Sequence, residues 1–156
     1  MALNIVLVEP EIPQNTGNII RTCAVTGAKL HLIKPLGFDF SDKHLKRCGL
    51  DYWDIANVKM YENFEELEAE YPDAQYVLAT SKVKRAHTDI EYNDDCFLVF
   101  GSETRGLSKE IIERHIEDCV RIPMLDLERA RCLNLSNAVA VMTYEALRQL
   151  DYPNMR

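Results

Sequence analysis

Short apolar runs alternate along the chain with stretches whose apolar residues recur at helical spacing. Residues 3–8, Leu-Asn-Ile-Val-Leu-Val, form a β-branched run that predicts a buried strand. Pro10 and Pro13 break it into a loop. Asn15 or Thr16 then caps a helix carried by Ile19, Ile20, Cys23 and Ala24, and Gly27 ends it. Residues 29–33 are the next strand, so the first third of the chain reads as a βαβ unit with a right-handed crossover. The alternation continues. Residues 41–48 make a short basic helix ended by Gly49, and 57–61 a weaker strand. Asn63 caps an acidic helix that runs to Tyr71, where Pro72 stops it. Residues 75–80 and the wholly apolar 96–100 are strands, Ser108 caps a helix over 109–114, and 119–122 is a last short strand. The final helix, 135–150, carries one stripe of Leu135, Val139, Met142 and Ala146 and further apolar surface at Ala138, Ala140 and Val141. It therefore has apolar surface for both the sheet and a partner subunit. Strands alternating with helices predict an α/β fold: a mostly parallel sheet flanked by helices, in a single domain over 1–156.

Composition narrows the class. With 156 residues, 47% hydrophobic and 28% charged, the chain is long enough to bury a core and is ordinary for a soluble protein. No apolar run reaches membrane-spanning length, and the opening residues 1–9 read as structure and not as a signal peptide, so a cytoplasmic protein without membrane contact is expected. The five cysteines are odd in number and lack a CxxC, which predicts reduced thiols. The four histidines have no metal-ligand spacing, so no metal is expected. A net charge of −7 weighs against nucleic acid, but base is clustered at Lys43, Lys46 and Arg47, at Lys82, Lys84 and Arg85, and at Arg129 and Arg131. Each cluster reads equally as a solvated surface run or an RNA contact.

In open parallel sheets ligands bind beyond the carboxyl ends of the strands, and three segments fall there. The first, residues 9–21, holds a rigid proline turn, Asn15 and Arg21, but no GxGxxG. The second, 100–106, brackets Glu103 and Arg105 between Gly101, where a ligand can approach the backbone, and Gly106. The third, 122–137, is a long loop entering the final helix with Asn134, Ser136 and Asn137, more polar groups than a cap needs.

Together, PEIPQNTGNIIRTC at 10–23, FGSETRGL at 100–107, RIPM at 121–124 and LNLSNAVAVMTYEALRQL at 133–150 resemble the three motifs of the SPOUT RNA methyltransferases. The likeness spans residues 4–150 and is greatest to the small, tail-less members that 2′-O-methylate the tRNA wobble nucleotide. It implies a SPOUT-type α/β knot (a C-terminal trefoil knot), a homodimer with the active site at the subunit interface, and S-adenosyl-L-methionine as cofactor, released as S-adenosyl-L-homocysteine. Carried over, Asn15 and Arg21 match the first motif, Glu103 the second and Asn134 the third as catalytic residues. The cofactor would lie against Ala79, Gly101, Ile122, Met124, Cys132, Leu133 and Ser136. Two departures stand out: Cys132 occupies a position where the family often has Ser, and the loop 125–131 is about two residues longer than the resemblance leads one to expect. Trp53 also stands where His is common.

The implied reaction is in-line methyl transfer to a ribose 2′-oxygen at tRNA position 34, a cytidine or uridine, with the anticodon loop as partner. Alignment is the protein's main task. A guanidinium stays protonated, so Arg21 is better suited to holding a phosphate than to acting as a base. An unstacked anticodon base can be recognised by stacking, with Tyr52, Trp53 and the 43–47 patch as candidates. The alternatives are 2′-O-methylation of ribosomal RNA and a non-catalytic RNA-binding dimer of the same fold.

Overall fold

The computed structural model describes residues 2–48, 50–129 and 132–156. The expected helix stop Gly49, and Arg131 of the third basic cluster, lie outside them. Among the described residues there are six strands: β1 (Asn4–Val8), β2 (Lys29–Ile33), β3 (Lys59–Tyr61), β4 (Tyr76–Ala79), β5 (Phe97–Phe100) and β6 (Cys119–Val120). They form one sheet in the order β3-β2-β1-β5-β4-β6, and every neighbouring pair is parallel. The helices are α1 (Pro13–Thr26), α2 (Lys43–Cys48), α3 (Trp53–Ala56), α4 (Phe64–Glu70), α5 (Lys109–Arg114) and α6 (Leu135–Gln149).

The sheet is apolar on both faces, which is why its central strands read as unbroken apolar runs. Ile5, Leu7, Leu98 and Phe100 pack with Ile19, Ile20 and Cys23 of α1 and with Val139, Met142 and Ala146 of α6. Val6, Val8 and Val99 pack with Phe64 and Leu67 of α4 and with Ile111 and Ile112 of α5. Alternate residues of β1 thus serve opposite layers, as the two-residue period of a strand requires. Outside this packing, Val141 and Tyr144 of α6 are exposed at 41% and 42%.

Side-chain caps open three of the six α-helices named. Asn63 accepts the Glu66 amide at 2.8 Å, Ser108 accepts that of Ile111 at 3.2 Å, and Asn134 accepts that of Ser136 at 2.9 Å, each opening the expected helix. The start of α1 differs from expectation. Its cap is Ile12, whose side chain bonds nothing, and Pro13 sits in the first turn, where its missing N–H is no loss and its fixed φ suits the helix. Pro13 therefore begins the helix, and Asn15 lies inside it. The basic helix starts at Lys43 because Asp39 and Asp42 bond the amides of Ser41 and His44 and hold a turn there. The short α3 ends on Asn57 in the left-handed conformation, so β3 begins only at Lys59. After β6 the pairing shrinks to a single bridge between Arg121 and Ala86.

Candidate active site

Strand order reverses between β1 and β5, and the loops leaving the carboxyl ends of β1, β4, β5 and β6 surround one cavity of about 570 Å³. That size suits a nucleoside-sized ligand. Asn15, Glu103 and Asn134, from three distant segments, all line it. So do Ala79, Gly101, Ile122, Met124, Cys132 and Leu133. Arg21 and Ser136 do not. Apolar residues, Phe100, Leu107, Ile122 and Leu133 among them, share the walls with polar ones that include Asn15, Lys82, Glu103, Arg121 and Asn134.

The loops after β1 and β5 are clasped reciprocally. One Glu103 oxygen accepts the backbone N–H of Glu11 at 2.8 Å; the other accepts that of Ile12 at 2.8 Å and the Asn15 amide at 3.2 Å. This carboxylate satisfies the two backbone amides just before the helix, and it sits where the α1 dipole favours negative charge. In return, Glu11 accepts the Thr104 hydroxyl at 2.7 Å and the Thr104 amide at 3.1 Å. Those two bonds hold the Glu11 carboxyl below its ordinary range. Glu9 turns the chain out of β1 at φ 55°, a conformation few non-glycine residues adopt, and its carboxylate stands 3.6 Å from Arg105.

The turn after β5 folds back on itself so tightly that only glycine fits at its start. A Cβ on Gly101 would lie 2.1 Å from the Gly106 carbonyl carbon and 2.2 Å from the Leu107 nitrogen. Gly101 is thus needed for the loop's own close approach as well as for access to its backbone. Gly106 takes φ 66° to close the turn, and its N–H reaches the Ser102 carbonyl at 2.9 Å.

At the third segment, the Asn134 side-chain oxygen is occupied by the amide of Ser136 at 2.9 Å and its hydroxyl at 2.6 Å. Ser136 thereby fixes the Asn134 side chain, whose Nδ2 has no partner among the described residues. Much of the apparent polar excess at this helix start is spent on orienting one asparagine. Cys132 is exposed and free beside it.

Arg21 is elsewhere. Six residues beyond Asn15 on a helix places it about 9 Å further along and about 240° around. Its Cζ lies 4.9 Å over the Tyr52 ring and its Nη2 donates to the Tyr52 hydroxyl at 3.2 Å. Trp53 packs edge-on against Phe40 at 4.8 Å, so much of its surface serves packing. Sequence reasoning did not single out Glu11, Thr104 or Arg121. The signal available for each was only its place next to a strand's carboxyl end. Among the described residues no group of His, Cys, Asp or Glu is arranged to hold a metal, and no helix is long and apolar enough to cross a membrane.

A family model described as the SpoU rRNA methylase family matches residues 2–144. The chain is 51% identical over 153 residues to the tRNA (cytidine(34)-2′-O)-methyltransferase of Escherichia coli K12, covering 97% of this chain and 96% of that protein. A solved structure concerned with 2-OH methylation of C/U34 on tRNA superposes with a TM-score of 0.89 at 41% identity, covering 96% of this chain and 97% of the other. An AdoMet-bound rRNA methyltransferase from Sinorhizobium meliloti superposes with a TM-score of 0.79 at 26% identity, covering 96% of this chain and 57% of the other.

Proposed function

The chain belongs to the SpoU rRNA methylase family, and from that premise we propose that it 2′-O-methylates the ribose of the wobble nucleotide, position 34, of tRNA with S-adenosyl-L-methionine as methyl donor. The observation that carries the reading is the convergence of Asn15, Glu103 and Asn134 on one cavity at the carboxyl edge of the sheet. The near full-length likeness to a cytidine-34 enzyme supports the substrate, and the AdoMet-bound relative supports the cofactor.

The residues fit such a cofactor. Apolar side chains at Phe100, Leu107, Ile122 and Leu133 suit an adenine ring, and the backbone of the 101–107 turn offers polar groups at the cavity edge. When bound, the cofactor would supply an electrophilic methyl for the ribose oxygen, with the electron pair of the broken carbon–sulfur bond left on sulfur and the hydroxyl proton lost to solvent. This chain's part is alignment. Asn134, held by Ser136, would offer its amide donors to the acceptor. Asn15 is fixed by Glu103, and Glu103 locks the mouth of α1 to the turn that floors the cavity.

Arg21 enters through assembly. A homodimer, supported by the exposed Val141 and Tyr144 on α6, completes each cavity with Arg21 of the partner subunit. There the guanidinium holds the acceptor's phosphate, because it stays protonated and cannot take the hydroxyl proton. The knot of the C-terminal segment and the reading of the chain as one domain belong to the same proposal.

The test is incubation of the protein with methyl-labelled cofactor and tRNA lacking this modification, followed by nuclease mapping. Label on the ribose of nucleotide 34 is expected. Label only on ribosomal RNA, or cofactor binding with no transfer at all, contradicts the proposal.

A further inference from the structure

The net charge of −7 conceals a segregation. Around the acidic helix α4 the cations are spent on ion pairs. Lys34 meets Glu62 at 3.0 Å, Lys59 meets Glu70, and Arg114 meets both Glu65 and Glu68. At the cavity Arg105 is paired with Glu9, but two other cations are not. Lys82, in the loop after β4, and Arg121, just past β6, both line the cavity mouth, and neither has an ion-pair partner among the described residues. Lys84, two residues on from Lys82, is exposed and likewise unpaired among the described residues.

The backbone keeps these side chains together. The Arg121 amide donates to the Arg85 carbonyl at 2.8 Å, and the His87 amide donates to the Arg121 carbonyl at 2.8 Å. The segment carrying Lys82 and Lys84 is therefore strapped to the end of β6. Arg85 is excluded from the free cluster, because its guanidinium is tied to the Glu117 carbonyl. Asp126 and Glu128 line a second cavity with Arg121 yet make no ion pair with it among the described residues, so the three cations repel one another in a chain with acid to spare for pairing them. Such a cluster suits a polyanion. The basic residues Lys43, Lys46 and Arg47 on α2 line no part of the cavity.

We propose that Lys82, Lys84 and Arg121 form a phosphate-gripping rim that holds the RNA backbone beside the acceptor nucleotide on the same chain whose cavity takes the cofactor. The inference rests on the function proposed above and adds which surface of the chain meets the RNA. Phosphate contacts of this kind fix register and carry no base preference. The rim therefore positions the ribose, and choice of nucleotide is left to other groups.

The test is the double variant Lys82→Gln/Lys84→Gln, which keeps side-chain length at exposed positions. Three quantities are measured against wild type: tRNA affinity over a salt series, cofactor affinity, and KM and kcat for tRNA. If the rim grips phosphates, the salt slope of log affinity becomes shallower by about 1.4, roughly 0.7 for each single-strand phosphate lost. KM for tRNA rises more than kcat falls, and cofactor affinity is unchanged. Arg121→Gln adds a further loss of the same kind. An unchanged slope and KM overturn the proposal, as does a loss that appears in cofactor affinity alone, which would mean the cations serve the cofactor's own carboxylate. A slope change found with Lys43→Gln/Lys46→Gln and absent from the Lys82/Lys84 variant also overturns it. Failure of the wild-type protein to methylate tRNA is a different result and rejects the function itself.

Discussion

The Glu103 carboxylate accepts the side-chain amide of Asn15 at 3.2 Å, joining two residues 88 positions apart at the point where the strand order reverses. The same carboxylate takes the amides of Glu11 and Ile12, so three donors depend on it. Replacing Glu103 with Gln puts an NH₂ where an acceptor is needed. Stability should fall by about 1–3 kcal/mol, the cost of stranding such donors. Methyl transfer should fall with it, through misplacement of Asn15. Thermal unfolding and single-turnover rates check this; an unaltered melting temperature would count against the clasp.

The reciprocal half of the clasp is pH-dependent. Glu11 titrates below its ordinary value of 4.5 because the Thr104 hydroxyl and amide bond its charged form. The sign follows from linkage: a lowered carboxyl contributes fully above its unfolded pKa, and the contribution is lost as pH falls through the lowered value. Hydrogen exchange at the Thr104 amide, corrected for its intrinsic pH dependence, should therefore speed up in acid. In Glu11→Gln it should be fast already at neutral pH.

A larger acid effect is expected from His31. Its Nδ1 is 2.9 Å from the Tyr61 hydroxyl and its Nε2 is 2.9 Å from the Asn4 oxygen. Burial first, and the charge of Lys59 second, push its pKa from 6.5 to about 4. The folded state resists a proton that the unfolded state accepts, so stability is complete above pH 6.5 and drains away between 6.5 and about 4. The loss amounts to about 3 kcal/mol, taking 1.36 kcal/mol for each pK unit. Urea unfolding across that window measures it, and His31→Gln should flatten the slope there.

Much of this architecture is written in local residue pattern. Val6, Leu7 and Val99 belong to continuous apolar runs because both faces of the sheet are covered, and Asn63, Ser108 and Asn134 cap helices through bonds to residues two or three places on. What eluded the sequence was non-local. Asn15 looked like a cap because nothing nearby reveals that its side chain is held by Glu103 from 88 residues away. Short α3 is one turn ended by Asn57 and carries too few residues for a periodic signal. The site motifs did reach one cavity, with Arg21 and Ser136 outside it, since a motif fixes which residues matter and not which of them face the same space.

Glycine substitutions separate space from backbone conformation in the 101–107 turn. Gly101→Ala must displace backbone lying 2.1 Å from the new carbon, whereas Gly106→Ala meets open space and suffers only from φ 66°. The first should abolish cofactor binding, and the second should cost about 1 kcal/mol of stability while binding persists. Calorimetric titration of the two variants ranks them, and equal losses would contradict the close-approach reading.

Arg21 offers a test of assembly. Mixed dimers of Arg21→Ala with Asn134→Ala should regain about half of wild-type activity for each heterodimer, because one of the two cavities then pairs an intact Asn134 with an intact arginine from the other chain. If both groups acted within one chain, no mixed dimer would recover activity.

Methyl transfer to the 2′-oxygen of nucleotide 34 has one direct substrate test: a tRNA carrying 2′-deoxyribose at nucleotide 34, compared with one carrying it at nucleotide 33. Methyl transfer from labelled S-adenosyl-L-methionine should vanish with the first and persist with the second. Label retained on the tRNA that lacks the 2′-hydroxyl at position 34 would contradict the claim.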